Sequence, residues 1–152
     1  MAVTAHVFPQ WLQGVNAGNI AMTGGTYKVA LSNAAGPIGL STSGVSTAKL
    51  FTDWTSNVAA EITGTGYSAG GATLGSVTFT VGGTNNSVTT WTAANPSWSS
   101  ASFTANQAIF YESSASTTQL ICFWDFGGSV MVTASTFTLT VSGSGLLTAT
   151  VS

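Results

Sequence analysis

Apolar and polar residues alternate over most of this chain, and the dominant period is two. In residues 26–31, Tyr27, Val29 and Leu31 share one parity and Thr26, Lys28 and Ala30 the other, which predicts a strand. Residues 74–81 repeat the pattern at Val77, Phe79 and Val81. Residues 87–92 form a further strand, read with Val88 inward and Trp91 on the opposite parity, after a hairpin connection at Gly82, Gly83, Thr84, Asn85 and Asn86. Residues 107–112 and 120–126 are apolar on both parities, as expected of central strands covered on both faces. Residues 136–141 and 146–151 are expected to close the chain as an alternating pair around Ser142, Gly143, Ser144 and Gly145. Turns are expected at Asn95-Pro96-Ser97-Trp98 and over residues 113–118.

Two stretches have helical spacing instead. Phe8, Trp11, Leu12 and Val15 predict a short helix over residues 8–16, with Pro9 near its first turn and a stop at residues 16–19. Leu50, Trp54, Val58 and Ile62 recur every four residues, but Thr52, Thr55, Ser56 and Asn57 are weak helix formers, so one or two turns are expected there. Residues 32–46, rich in Gly, Ser and Pro, read as a loop, and so does Gly64-Thr65-Gly66-Tyr67-Ser68-Ala69-Gly70-Gly71. About seven to nine strands with turns every 8 to 12 residues predict an all-β, single-domain antiparallel β-sandwich or barrel with one or two short helices. The expected division is an N-terminal arm or short helix over residues 1–17 and a β-sandwich domain over 18–152.

Composition sharpens this picture. The 152 residues include 25 Thr, 20 Ser and 18 Gly, residues of pleated surfaces and turns. Charged residues make up 4%, against roughly 25% in an average soluble protein. There are two lysines (Lys28, Lys49), no arginine, and four carboxylates (Asp53, Glu61, Glu112, Asp125), for a net charge of −2. Phosphate neutralisation needs a basic cluster, so no nucleic-acid partner is expected. A basic membrane-surface helix is excluded likewise, and no apolar run reaches the roughly 20 residues of a membrane span. Residues 1–14 have neither a positive n-region nor an apolar h-region, so no secretory signal is expected. Strand edges almost free of lysine, on a surface almost free of charge, favour self-association, and a homo-oligomer or larger assembly is expected.

The chemistry available is sparse. His6 is the sole histidine, and no G-x-S-x-G elbow accompanies it, so no nucleophilic triad is expected. Cys122 lies in the apolar run Leu120-Ile121-Cys122-Phe123-Trp124 and reads as a small buried hydrophobe. His6, Cys122 and the scattered carboxylates lack metal-ligand spacing, so neither a metal nor another cofactor is expected. Glu61 and Asp125 raise the question of a paired acid and base. Each, however, precedes a glycine turn (Gly64, Gly127) whose backbone N–H groups a carboxylate can accept. The tryptophans at 11, 54, 91, 98 and 124 suit either core and interface packing or a sugar-stacking platform.

A family resemblance rests on several motifs. Gly18-Asn19-Ile20 followed by Thr26-Tyr27-Lys28-Val29-Ala30-Leu31 resembles the opening of small virion proteins of tailed bacteriophages. Glu61-x-x-Gly64-Thr65-Gly66-Tyr67-x-x-Gly70-Gly71-x-x-Leu74 resembles their central motif. Ala108-Ile109-Phe110-Tyr111, Leu120-Ile121-x-Phe123-x-Asp125-Phe126-Gly127-Gly128 and Phe137-x-Leu139-x-Val141 with Gly145 are similar to the later ones. The chain departs from that pattern in its lack of Arg and in Asn106-Gln107 before the Ala-Ile-Phe-Tyr strand. The resemblance implies a non-enzymatic structural component of the virion, assembled in the host cytoplasm. A capsid decoration or cement subunit bound to the major capsid protein is the first expectation. A small tail or tail-fibre-associated subunit is the alternative, and a carbohydrate-binding module on the virion surface the third. Phe8, Trp11 and Leu12 are the candidate interface residues. Glu61, Gly64, Gly66, Tyr67, Gly70 and Gly71 form the candidate structural loop, and Asp125, Gly127 and Gly128 the candidate structural turn.

Overall fold

The computed structural model describes residues 3–33, 50–52, 61–84, 87–113 and 118–150. Its elements are β1 (Thr4–Val7), α1 (Trp11–Asn16), β2 (Tyr27–Ser32), β3 (Ala72–Thr73), β4 (Thr78–Gly82), β5 (Val88–Thr92), β6 (Ser97–Glu112), β7 (Gln119–Thr138) and β8 (Leu147–Thr150). They form two antiparallel sheets, one ordered β1-β7-β6-β2-β3 and one ordered β4-β5-β8. The fold is all-β in two layers, with the short helix α1 and helical backbone at Phe51 and Thr52.

The main sheet is buried on both faces, as the double parity of its central strands requires. Tyr27, Val29 and Leu31 of β2 share a face with Phe110 of β6 and with Cys122 and Trp124 of β7, and this face meets the small sheet. The contact between layers centres on Trp91 of β5, fully buried and edge-on to Tyr27 with ring centroids 5.5 Å apart. On the opposite face, Ala30, Ile109, Tyr111, Leu120 and Phe123 pack with Phe8.

β6 and β7 are long strands that pair almost end to end, and a large bulge divides their ladder. Between the pairs Ala105↔Val130 and Gln107↔Asp125, the single residue Asn106 lies opposite residues 126–129. Beyond the bulge the two strands run on as a ribbon, whose inner face carries Trp98, Phe103 and Phe137.

Several sequence expectations are corrected here. The helix begins at Trp11, not at residue 8. Pro9 disfavours the α conformation at the residue before it, so Phe8 instead continues the strand and donates its N–H to Ile121 O at 3.1 Å. That strand, β1, is absent from the pattern reading, and it pairs with β7 from Thr4↔Asp125 to Val7↔Cys122. Trp91, not Val88, is the inward residue of β5, because the larger apolar surface takes the core position. Ser97 and Trp98 open β6 and are not a turn. Of the strand expected over residues 74–81, only the part from Thr78 onward forms, as β4, while β3 lies just before that stretch and belongs to the other sheet. Residues 136–138 belong to β7, and β8 pairs with β5, so the expected closing pair does not form. Most of the expected loop over 32–46, Trp54 and Val58 of the second helical stretch, Lys49, Asp53, Asn85, Asn86 and residues 114–117 lie outside the described residues.

Candidate functional site

The glycine-rich loop lies along the open edge of β2. Glu61 bridges to Ser32, Ile62 donates its N–H to Leu31 O at 3.0 Å, and at the other end Ala72 and Thr73 pair with Val29 and Lys28. Between those points no strand among the described residues stands beside β2, and the Tyr67 hydroxyl takes its place. It accepts the Leu31 N–H at 3.0 Å and donates to Glu61 Oε1 at 2.6 Å. The same carboxylate oxygen accepts the Gly70 N–H at 2.6 Å, and Gly70 O accepts the Tyr111 hydroxyl at 2.7 Å. The loop also reaches the ribbon, where Ser102 donates its N–H to Thr65 O at 3.0 Å. The Tyr67 ring packs among Trp98 and Phe103, 6.3 and 6.0 Å away. One side chain thus closes a sheet edge and joins the main sheet to the β6–β7 ribbon.

The backbone explains the glycines. Gly71 has φ +68°, and a Cβ there would overlap the Val29 carbonyl; Gly66 has φ +77°, with its missing Cβ aimed at Ser99 O. Both sites require glycine twice over, for conformation and for space.

Burial, reinforced by the bond to Glu61, pushes the Tyr67 hydroxyl well above its usual range, so it stays a protonated donor. Burial and the nearby Glu61 charge push Tyr111 up to about 12. Burial also raises the Cys122 thiol far above its ordinary value, which leaves it an unreactive packing residue.

Asp125 repeats the device on a smaller scale. Its Oδ1 accepts the Gly127 N–H at 2.8 Å at the head of the β7 bulge, where Gly127 has φ +70° and Gly128 φ +156°. The three residues therefore act within a strand and not as a chain-reversing turn.

The sheet register separates the two carboxylates. Glu61, Ser32, Gln107 and Asp125 stand in one row, each opposite the next. Three strand spacings of about 4.8 Å put the ends of that row about 14 Å apart. Glycosidase carboxyl pairs stand roughly 5–9.5 Å apart. This pair lacks that geometry, and each member is already turned onto a glycine N–H. Among the described residues, no three His, Cys, Asp or Glu side chains cluster as metal ligands would.

No family model, curated protein or solved structure matches the chain.

The candidate interface residues are distributed unevenly. Phe8 is 2% exposed and packs on Phe123 within the chain's own core. Trp11 is half-buried against the inter-sheet core, with its indole N–H enclosed and without an acceptor among the described residues. Only Leu12, 57% exposed, faces fully outward. Trp91 and Trp98, on which a sugar-stacking platform would depend, are buried. Composition alone did not single out the apolar residues that do face solvent on strands: Phe79, Val81 and Met131. Charge-free strand edges were the available signal, and they did not say which edge.

Proposed function

We propose that this chain is a non-enzymatic structural subunit of a tailed-bacteriophage virion, a capsid decoration protein that ties neighbouring lattice subunits together by burial. The observation that carries the reading is the fate of the motif on which the resemblance rests. Glu61, Tyr67 and Gly70 hydrogen-bond one another and the edge of β2, so the motif builds a rigid scaffold from its own polar groups. Attachment is then left to an uncharged surface of Thr, Ser and scattered apolar side chains such as Leu12, Val81 and Met131. The host cytoplasm is the expected place of assembly.

The test is location on purified particles, with heads and tails separated and the protein quantified in each. Occupancy of heads is expected, retained between about 0.1 and 1 M salt although the screening length falls from about 10 to 3 Å. Recovery only with tails would refute the head assignment. Absence from particles, or release by salt alone, would refute the reading as a whole.

A further inference from the structure

We infer that β4 is a self-pairing edge, through which two copies of this chain join their small sheets into one six-stranded sheet. The inference deepens the assembly reading, and rests on that reading only for where such pairing is used. β4 stands at the end of the order β4-β5-β8, so its outer backbone groups face no strand among the described residues. Its five residues, Thr-Phe-Thr-Val-Gly, contain no charge and no proline, and its ladder with β5 runs without a register shift. These are the features that natural edge strands avoid when they must stay unpaired. Two of the five side chains are large and apolar and face solvent, Phe79 at 38% and Val81 at 58% exposure.

The occupant follows from the sequence of the strand itself. An antiparallel second copy centred on Thr80 places Phe79 opposite Val81 of that copy, and the reverse, on a single face. Directly opposed residues share a face, and Phe79 lies opposite Trp91. The pairing therefore extends the apolar row Leu147–Trp91–Phe79, buried at Trp91, by one more apolar residue, the second copy's Val81. On the outer face the row Thr148–Thr90–Thr80 continues as its own mirror across the dyad. Such an interface is isologous and closes as a dimer. No charge lies on either strand to oppose it. β8, the other edge, offers Thr148, Ala149 and Thr150 and no large exposed apolar side chain. A five-residue pairing buries less than the roughly 1,200–2,000 Å² of a standard stable interface, so the free dimer should be weak and concentration-dependent.

Sedimentation of the full chain over a wide concentration range, with cysteine cross-linking, tests this. The wild type should show a monomer–dimer equilibrium, and Val81→Lys should weaken it at least tenfold. Thr80→Cys, outward-facing and on the dyad, should be joined to its mate by a short bis-maleimide, since opposed Cα atoms lie about 4.5–5.5 Å apart. Thr148→Cys, five strand spacings or about 24 Å from its mate, should not be joined. Cys122 is buried and gives no background. Equal cross-linking at Thr80→Cys and Thr148→Cys, or sedimentation as a monomer at every concentration, would overturn the proposal. The Thr80→Cys result stands even if Val81→Lys fails to fold. A monomer that still occupies particles would overturn β4 pairing and leave the virion reading intact. A β4 dimer absent from particles would support the pairing and remove that reading.

Discussion

Replacing Tyr67 with Phe tests whether one hydroxyl closes the edge of β2. The ring stays, so its contacts with Trp98 and Phe103 persist, and only the two hydrogen bonds go. A bond to a charged acceptor contributes roughly 1.5–3 kcal/mol, and the stranded Leu31 N–H costs roughly 1–3 kcal/mol more. These overlap in part, and about 3 kcal/mol is the expected loss. With a urea slope of about 2 kcal/mol per molar, the unfolding midpoint should fall by about 1.5 M. The assay is urea unfolding followed by tryptophan fluorescence, with Trp98 as a reporter beside the loop. Tyr67→Ala should cost more, because the ring contacts go too. Glu61→Gln should cost less, because the amide oxygen still accepts, through bonds of about half the strength. The Tyr67→Phe and Glu61→Gln effects should couple by at least about 0.5 kcal/mol. A midpoint shift below about 0.3 M for Tyr67→Phe would refute the reasoning, since the hydroxyl would then be replaceable by water.

Three further outcomes follow from the same geometry. Gly24→Ala, at φ +78° with open space around it, should cost only the roughly 1–2 kcal/mol of the left-handed conformation, while Gly71→Ala, aimed into the Val29 carbonyl, should cost clearly more by the same urea assay. Folding raises Tyr111 from its usual value near 10 to about 12, so the stability it carries is whole below pH 10 and lost as pH rises through 12; Tyr111→Phe should flatten that alkaline decline. Phe8→Ala should cost about 3–5 kcal/mol as a core truncation, whereas exposed Leu12→Ala should stay within about 0.5 kcal/mol, both read from thermal unfolding.

What the sequence discloses depends on whether the signal is local. Residues 107–112 and 120–126 read as central strands because apolar residues on both parities have no other stable place, and the structure covers both faces. The polar partners of the glycine loop were legible too, since a carboxylate before a run of glycines has N–H donors within reach. Trp91 was misplaced by parity alone, in a strand of threonines where the first apolar residue looked inward and the largest one is. β1 was missed because Thr-Ala-His-Val carries almost no pattern; it is a strand only because β7 offers an edge. β8 was expected as a strand over residues 146–151, but its partner was not, because β5 lies far away in sequence, across the whole β6–β7 hairpin. The bulge at Gly127 was visible as a glycine signal, but its role inside a continuing strand depends on β6 lying opposite it.

The edges of this fold are treated unequally, and that inequality is what links the scaffold to assembly. β7 is covered by β1 where it crosses the main sheet, and β2 is covered by β3, Glu61 and the Tyr67 hydroxyl. Closing the β2 edge uses a half-buried acid, a half-buried phenol and glycines such as Gly66 and Gly71 that leave no room for a Cβ, a costly arrangement to maintain in a chain with only four carboxylates. β4 receives none of this, although a single lysine in place of Val81 would be enough to discourage pairing. In a protein with ample surface charge, a bare five-residue edge would be kept apart by repulsion between molecules. Here the net charge is −2, so repulsion is weak, and in the proposed dimer backbone pairing with apolar contact would decide which molecules meet. Association of that kind would be specified by strand register and barely by ionic strength, as the proposed role of a lattice subunit that keeps its neighbours when the surrounding salt changes would require.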